Sequence, residues 1–352
     1  MSAPRFSAAQ PLAERIAALP KAELHLHLEG AIEPPTVVEL AARYGQAIAA
    51  GQVAARYATR DFSAFIEAYK WVTSYLRAPE DYALVARETA ERLLAQNVVY
   101  AEITLSAGVM LLRKQDVAAS FRAIREAVRD FEPLGLRLQW IFDCVRQFGP
   151  RPAMDVARIA VELRGEGVVA FGIGGDELAL PASDFRDAFD FAAAGGLRRV
   201  AHAGEIGGPD SVRDALTVFG AERIGHGIAV TRDPPLAALL RERSIPLEIC
   251  PTSNVRTGAL ARQLGRDQAE LRHHPLPDLL RAGVPLSVST DDPAMFATDL
   301  QREYLALIEM GLSPRELARV AAAAFQGAFL PVTEKFAYLN RFTREAGAVG
   351  LI

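Results

Sequence analysis

His25 and His27 stand two residues apart in the run ELHLHLEG, Glu23 to Gly30. Alternate side chains of an extended strand share a face, so both imidazoles project together and can offer two nitrogens to one cation. Taken alone the pair is weak evidence for a metal and reads more readily as two buried, hydrogen-bonded histidines. Three other runs end in groups of the same kind: AHAGE carries His202 and then Glu205, RIGHG carries His226, and STDDP carries Asp291 and Asp292. Packing a core does not require four of the six histidines and a carboxylate pair at matching ends of different strands. Imidazole nitrogens with one carboxylate make a typical zinc set, and a catalytic site keeps one position open for water. Zinc so held lowers the pKa of that water to about 7. Either acid of the DD pair fits the ligand role, leaving its neighbour free to touch substrate. As a dipeptide it also fits a turn or a helix cap.

The elements that must position these groups follow from patterning. Short runs rich in Val, Ile and Phe alternate with longer segments of helical period, the pattern of βα units around a parallel sheet. Eight runs qualify as strands: AELHLHL, VVYAEITLS, LRLQWIFDCV, VVAFGIGG, RRVAHAG, RIGHG, IPLEICP and PLSVSTDD. Eight predict a closed (β/α)8 TIM barrel of the α/β class, in one domain over residues 1–352, with chemistry at the C-terminal strand ends. Roughly seventy residues separate the first two strands, too many for one crossover helix. The helical patterns DFSAFIEAYKWVTSYL and PEDYALVARETAERLLAQN there predict helices inserted over one mouth of the barrel, and SPRELARVAAAAFQGAFL predicts more at the C-terminus.

Composition narrows the function. The chain carries 39 basic and 43 acidic side chains, a formal net charge of −4, so no broad attraction to nucleic acid or an anionic membrane is expected. A small neutral substrate suits it better. No secretory pattern opens the chain and no apolar run approaches ~18 residues, which predicts a soluble, cytoplasmic protein. Cys144 and Cys250 lie far apart in apolar segments and read as buried thiols. Two-metal barrel hydrolases commonly bridge their ions with a modified lysine at a middle strand end. The four lysines, Lys21, Lys70, Lys114 and Lys335, include none so placed, which favours one metal.

At these residues the chain resembles the adenosine/adenine deaminase family of the metal-dependent amidohydrolases. The motifs PKAELHLHLEG, GIGGDE, HAGE, ERIGHG, CPTSN and STDDP occur in family order over most of the chain. The resemblance implies one Zn2+ per chain held by His25, His27, His202 and Asp291. It implies that Glu205 gives a proton to purine N1 as C6 is attacked, where an acid stabilises the developing adduct. It further implies that His226 lies beside the attacking water, to orient it or hold its proton, that Asp292 bonds purine N7, and that the Gly175 N–H reaches N3. The cysteine pair of the other zinc nucleobase deaminases is absent, so a nucleic-acid editor is not implied.

The motifs divide on substrate. Adenosine deaminases usually read HLDG, the aspartate lying near the ribose 5′-hydroxyl. Here Glu29 is one methylene longer, as in members acting on free adenine or on aminodeoxyfutalosine, whereas GGDE, ERIGHG and CPTSN look like the nucleoside branch. The expectation is an adenine nucleoside, adenosine or aminodeoxyfutalosine, deaminated hydrolytically to the 6-oxo product and ammonia, with free adenine or another amidohydrolase reaction as alternatives. Phe62, Phe65, Tyr69 and Trp71 could face the sugar, although aromatics at helical spacing are more often core. His273 and His274, ahead of a helix, read as structural or solvated.

Overall fold

Aliphatic runs bounded by glycine, proline or polar turns form the strands, and the segments of helical period wrap them. The computed structural model describes residues 11–352. Eight parallel strands follow one another in chain order: β1 (Lys21–His27), β2 (Val98–Leu105), β3 (Arg137–Val145), β4 (Val168–Gly174), β5 (Arg198–Ala203), β6 (Arg223–His226), β7 (Leu247–Ile249) and β8 (Leu286–Val288). β1, β2, β7 and β8 are buried along their whole length, as strands covered on both faces must be.

Closure falls on the residues of chemical interest. Beyond the end of β8, the His27 N–H donates to the Asp291 carbonyl at 2.8 Å and the Asp291 N–H to the His25 carbonyl at 3.0 Å. The ladder of β1 on β2 slips between Glu23 and Leu26, where the N–H groups of Leu24 and His25 both donate to the Ser289 hydroxyl, at 3.3 and 3.2 Å. β7 and β8 are shorter than their apolar runs. Pro251 starts a helix directly after Cys250, and Asp291 turns the chain with φ of 65° before Pro293 starts another. His226 ends β6 with φ of 61°. Non-glycine residues seldom occupy this region, and where they do the surroundings hold them.

The long first connection contains helices Pro34–Arg43, Ala50–Tyr57, Phe62–Thr73 and Pro79–Ala95. The last is the crossover to β2. Its predecessors are the inserted cover, and Phe62–Thr73 reaches over the site. Helices Leu300–Glu309, Pro314–Gly327 and Val332–Ala348 complete the C-terminal part. Among the described residues no helix is long and apolar enough to cross a membrane.

The barrel interior is not wholly apolar. Arg223, fully buried at the start of β6, pairs with Glu102 of β2 at 2.5 Å and with Glu248 of β7. Burial alone would weaken the guanidinium's hold on its proton, but the two carboxylates more than offset this and keep it charged. Glu102 also accepts from the Tyr100 hydroxyl at 2.7 Å and from the Phe329 N–H at 2.5 Å. Both cysteines are buried free thiols.

Candidate active site

The C-terminal strand ends bring His25, His27, His202 and Asp291 together, with one ligand atom from each lying within 4.8 Å of all the others. Asp291 Oδ1 stands 3.3 Å from both His25 Nε2 and His27 Nε2. His27 Nε2 and His202 Nε2 face each other at 3.1 Å. Ligand atoms that share one zinc ion at about 2.0–2.1 Å lie roughly 3 Å from their neighbours, so the donor set fits zinc in spacing as well as in chemistry.

The groups behind these rings aim them. His25 Nδ1 donates to Glu248 Oε2 at 2.9 Å, and His202 Nδ1 donates to the Ile173 carbonyl at 3.0 Å. Each ring therefore turns the lone pair of Nε2 inward, the usual outer support of a metal-binding histidine. Among the described residues His25 Nε2 is buried with no hydrogen-bond partner. Burial disfavours the charged form of His25, yet the Asp291 and Glu248 carboxylates outweigh it and hold the ring at about 10, so Nε2 takes a proton unless a metal cation replaces it there. The same two negative charges favour a cation among the imidazoles. Burial pushes His27 and His202 down to about 3. Asp291 is held well below the usual carboxylate range, because the surrounding histidines overcome its burial, and its Oδ2 accepts from Ser253 Oγ at 2.6 Å.

A pocket opens over this cluster, lined by His27, His202, Glu205, His226, Asp291, Asp292 and Gly175 on the barrel side. Glu205 Oε2 lies 3.7 Å from His226 Nε2, and burial, then the Asp291 and Glu177 charges, push its carboxyl well up. Asp292 is likewise raised by burial and by Asp291, and its Oδ1 is buried without a partner among the described residues. Gly30 makes room for it, since a Cβ there would meet Asp292 Oδ1 at 1.8 Å. At Gly175, with φ of 87°, a Cβ would collide with the Gln147 side chain at 2.3 Å.

Glu29 departs from expectation. It is buried beneath the wall, accepting from the Ser106 N–H at 3.0 Å and the Tyr69 hydroxyl at 3.4 Å, while Ser106 and Tyr69 themselves line the pocket. Phe62, Phe65 and Tyr69 line the pocket rather than only filling the core, whereas Trp71 lies elsewhere, under the Arg56 guanidinium. His273 is a half-buried cap residue that accepts from the Glu270 N–H at 3.1 Å. His274 is buried against Asn254, at 3.2 Å.

Residues 20–344 match the model of the adenosine deaminase family. The chain belongs to this family. It is thereby a metal-dependent hydrolase acting on C–N bonds. It is 42% identical to an aminodeoxyfutalosine deaminase of Streptomyces avermitilis, over 91% of this chain and 89% of that one. To an adenine deaminase of Chelativorans sp. it is 34% identical, over 91% and 97% of the two chains. A crystal structure of an amidohydrolase from Burkholderia ambifaria with bound zinc superposes with a TM-score of 0.86 at 27% identity, covering 99% of this chain and 98% of that one.

Several site residues of this family member escape a reading from the sequence. Glu177 accepts hydrogen bonds from four successive backbone N–H groups, Gly204 to Gly207, and from Ser211 Oγ; those of Glu205, Ile206 and Gly207 measure 3.2, 2.9 and 2.8 Å. It fixes the loop that presents Glu205. Asp143, at the end of β3, reaches the pocket with a buried, unpartnered Oδ1, and burial followed by the nearby Glu29 pushes it up to about 8. Glu248 sits mid-run in IPLEICP. The only signal for either was an acid inside an apolar strand pattern.

Proposed function

We propose that the protein deaminates the purine C6 of an adenine nucleoside by hydrolysis, with aminodeoxyfutalosine as substrate and one zinc ion per chain held by His25, His27, His202 and Asp291. The carrying observation is the pair of buried carboxyls, Glu205 and Asp292, that line one pocket together with the His/Asp cluster. Zinc bound to such a set supplies a nucleophile by making water acidic enough to ionise near neutrality.

The remaining work falls to the chain's own groups. Attack at C6 moves charge onto N1, and Glu205 donates its proton there, which only a carboxyl kept protonated near pH 7 can do. Purine N7 is an acceptor, so Asp292 in its protonated form donates to it. The backbone N–H of Gly175 is the donor for N3. Together these hold the ring with C6 over the cluster, and the exocyclic amine leaves as ammonia with the 6-oxo purine remaining. His226 faces the attacking oxygen. Phe62, Phe65 and Tyr69 form an apolar wall over the pocket that suits a substituent larger than a 5′-hydroxyl.

The higher identity to the aminodeoxyfutalosine deaminase, 42% against 34% for the adenine deaminase, supports the nucleoside over the free base. A cytoplasmic location accords with a small metabolite as substrate. Ammonia release from aminodeoxyfutalosine, adenosine and adenine, compared as kcat/KM, tests the substrate, and a preference for adenine would overturn it. Replacing Glu205→Gln is expected to lower kcat by about 10²- to 10⁴-fold with the zinc retained. Full turnover in that variant would remove Glu205 from the proton-donor role.

A further inference from the structure

A line of three hydrogen-bonded groups runs behind His226. The Leu276 backbone nitrogen lies 3.1 Å from His274 Nδ1, His274 Nε2 lies 3.2 Å from Asn254 Oδ1, and Asn254 Nδ2 lies 3.0 Å from His226 Nδ1. His226, Asn254 and His274 are all buried, so water does not compete for these bonds. A backbone N–H can only donate, and this one fact orients every member. His274 Nδ1 must hold a lone pair, so its ring is neutral with the proton on Nε2. That proton requires an oxygen, which fixes the Asn254 carboxamide with Oδ1 toward His274 and its NH2 toward His226. His226 Nδ1 then accepts, and its proton is on Nε2. Burial pushes His274 down to about 3, in keeping with a neutral ring.

The outcome is opposite to that of the neighbouring rings. His25 and His202 have acceptors behind them, Glu248 and the Ile173 carbonyl, and so present lone pairs to the cluster. His226 has a donor behind it and presents an N–H, aimed between Glu205 Oε2 at 3.7 Å and Asp291 Oδ2 at 3.8 Å. This accounts for a fourth histidine standing beside the ligand set without joining it.

We infer that His226 is a fixed hydrogen-bond donor to the attacking oxygen rather than the base that takes its proton, and that His274, acting through Asn254, is the positioning residue that sets this tautomer. The inference deepens the proposed deaminase reading and rests on it for the identity of the oxygen. Proton balance is kept by Glu205. Once it has given its proton to N1, its carboxylate lies beside the His226 N–H, takes up the first proton the water loses and passes it to the departing amine; the second, released as the C6 hydroxyl becomes the 6-oxo group, returns to Glu205 and restores its carboxyl.

The tautomers are read directly in the zinc-loaded enzyme labelled with 15N-histidine, from two-bond proton–nitrogen correlations, the His226 signals being assigned by their loss in His226→Gln. The expected result is a neutral ring protonated at Nε2 for both His226 and His274. His274→Leu is expected to release His226 from that single tautomer and to lower kcat about 10- to 100-fold at unchanged KM. His274→Gln, whose amide can donate to Asn254 and accept from Leu276, is expected to restore both. A wild-type His226 protonated at Nδ1 or at both nitrogens overturns the inference, as does a His274→Leu enzyme that loses activity with its His226 tautomer unchanged. The spectra need no substrate, so a failure of the substrate assignment leaves this test intact.

Discussion

At the scale of single residues, the chemistry depends on which atom of each polar group points inward, and that is set by what stands behind it. Glu177 shows this for the backbone. Its two oxygens gather four N–H groups of the loop after β5 and thereby present Glu205 to the pocket. A glutamine has one acceptor oxygen and would turn an NH2 toward N–H donors, a clash of like groups in a buried place. Glu177→Gln is therefore expected to cost about 2 kcal/mol of stability and to lower kcat at least tenfold while leaving zinc content unchanged. Metal analysis alongside ammonia release checks it; loss of metal together with activity would show that the loop serves the ligands instead.

At the scale of elements, the strands hold the cluster by close approach. β6 passes directly under His25, where a Cβ on Gly225 would meet the ring at 2.7 Å. His25 is locked from behind by Glu248 and cannot retreat along its own hydrogen bond. Gly225→Ala is expected to weaken zinc binding by about 10- to 100-fold, with far-ultraviolet circular dichroism unchanged. Competition with a chelator measures it, and wild-type affinity would mean that β1 yields more readily than its bonds to Ser289 and Asp291 imply. Gly30 has the matching role beside Asp292, so the HLEG motif specifies its glycine as much as its glutamate.

At the scale of the whole molecule, buried charge links the site to distant parts of the fold. From His25 the contacts pass through Glu248, Arg223 and Glu102 to Phe329, where the helix Pro314–Gly327 has just ended. On the other flank Glu303 accepts from the Thr252 N–H at 3.2 Å and from the Thr298 hydroxyl, tying the helix Leu300–Glu309 to the segment that carries Ser253 and Asn254. Burial is the main reason its pKa is raised from 4.5 to about 7. The folded protein thus keeps this proton over a range where the unfolded chain has released it. The contribution to stability is full below pH 4.5 and is lost as pH rises through about 7. Glu303→Gln, which does not titrate, is expected to gain on the wild type by about 2 to 3 kcal/mol between pH 5 and pH 8 in urea unfolding. Parallel pH curves for the two proteins would show that Glu303 stays ionised.

The barrel, the inserted cover and the convergence of His25, His27, His202, Glu205, His226, Asp291 and Asp292 were legible in the sequence because strand period and strand ends are local properties. The C-terminal ends of barrel strands open toward the site, and alternate residues there share the inward face. The partners of those residues were not legible. Glu248, Glu177, Asn254 and His274 lie between 20 and 223 positions from the groups they orient, and only the folded chain makes them neighbours. The same holds for Glu29, whose type suggested the sugar and whose surroundings turned it into the wall. The sequence by itself determined which atoms could bind a cation and move protons. The tertiary structure decided which of those atoms carry a proton and which a lone pair, since that depends on the donor or acceptor packed behind each ring.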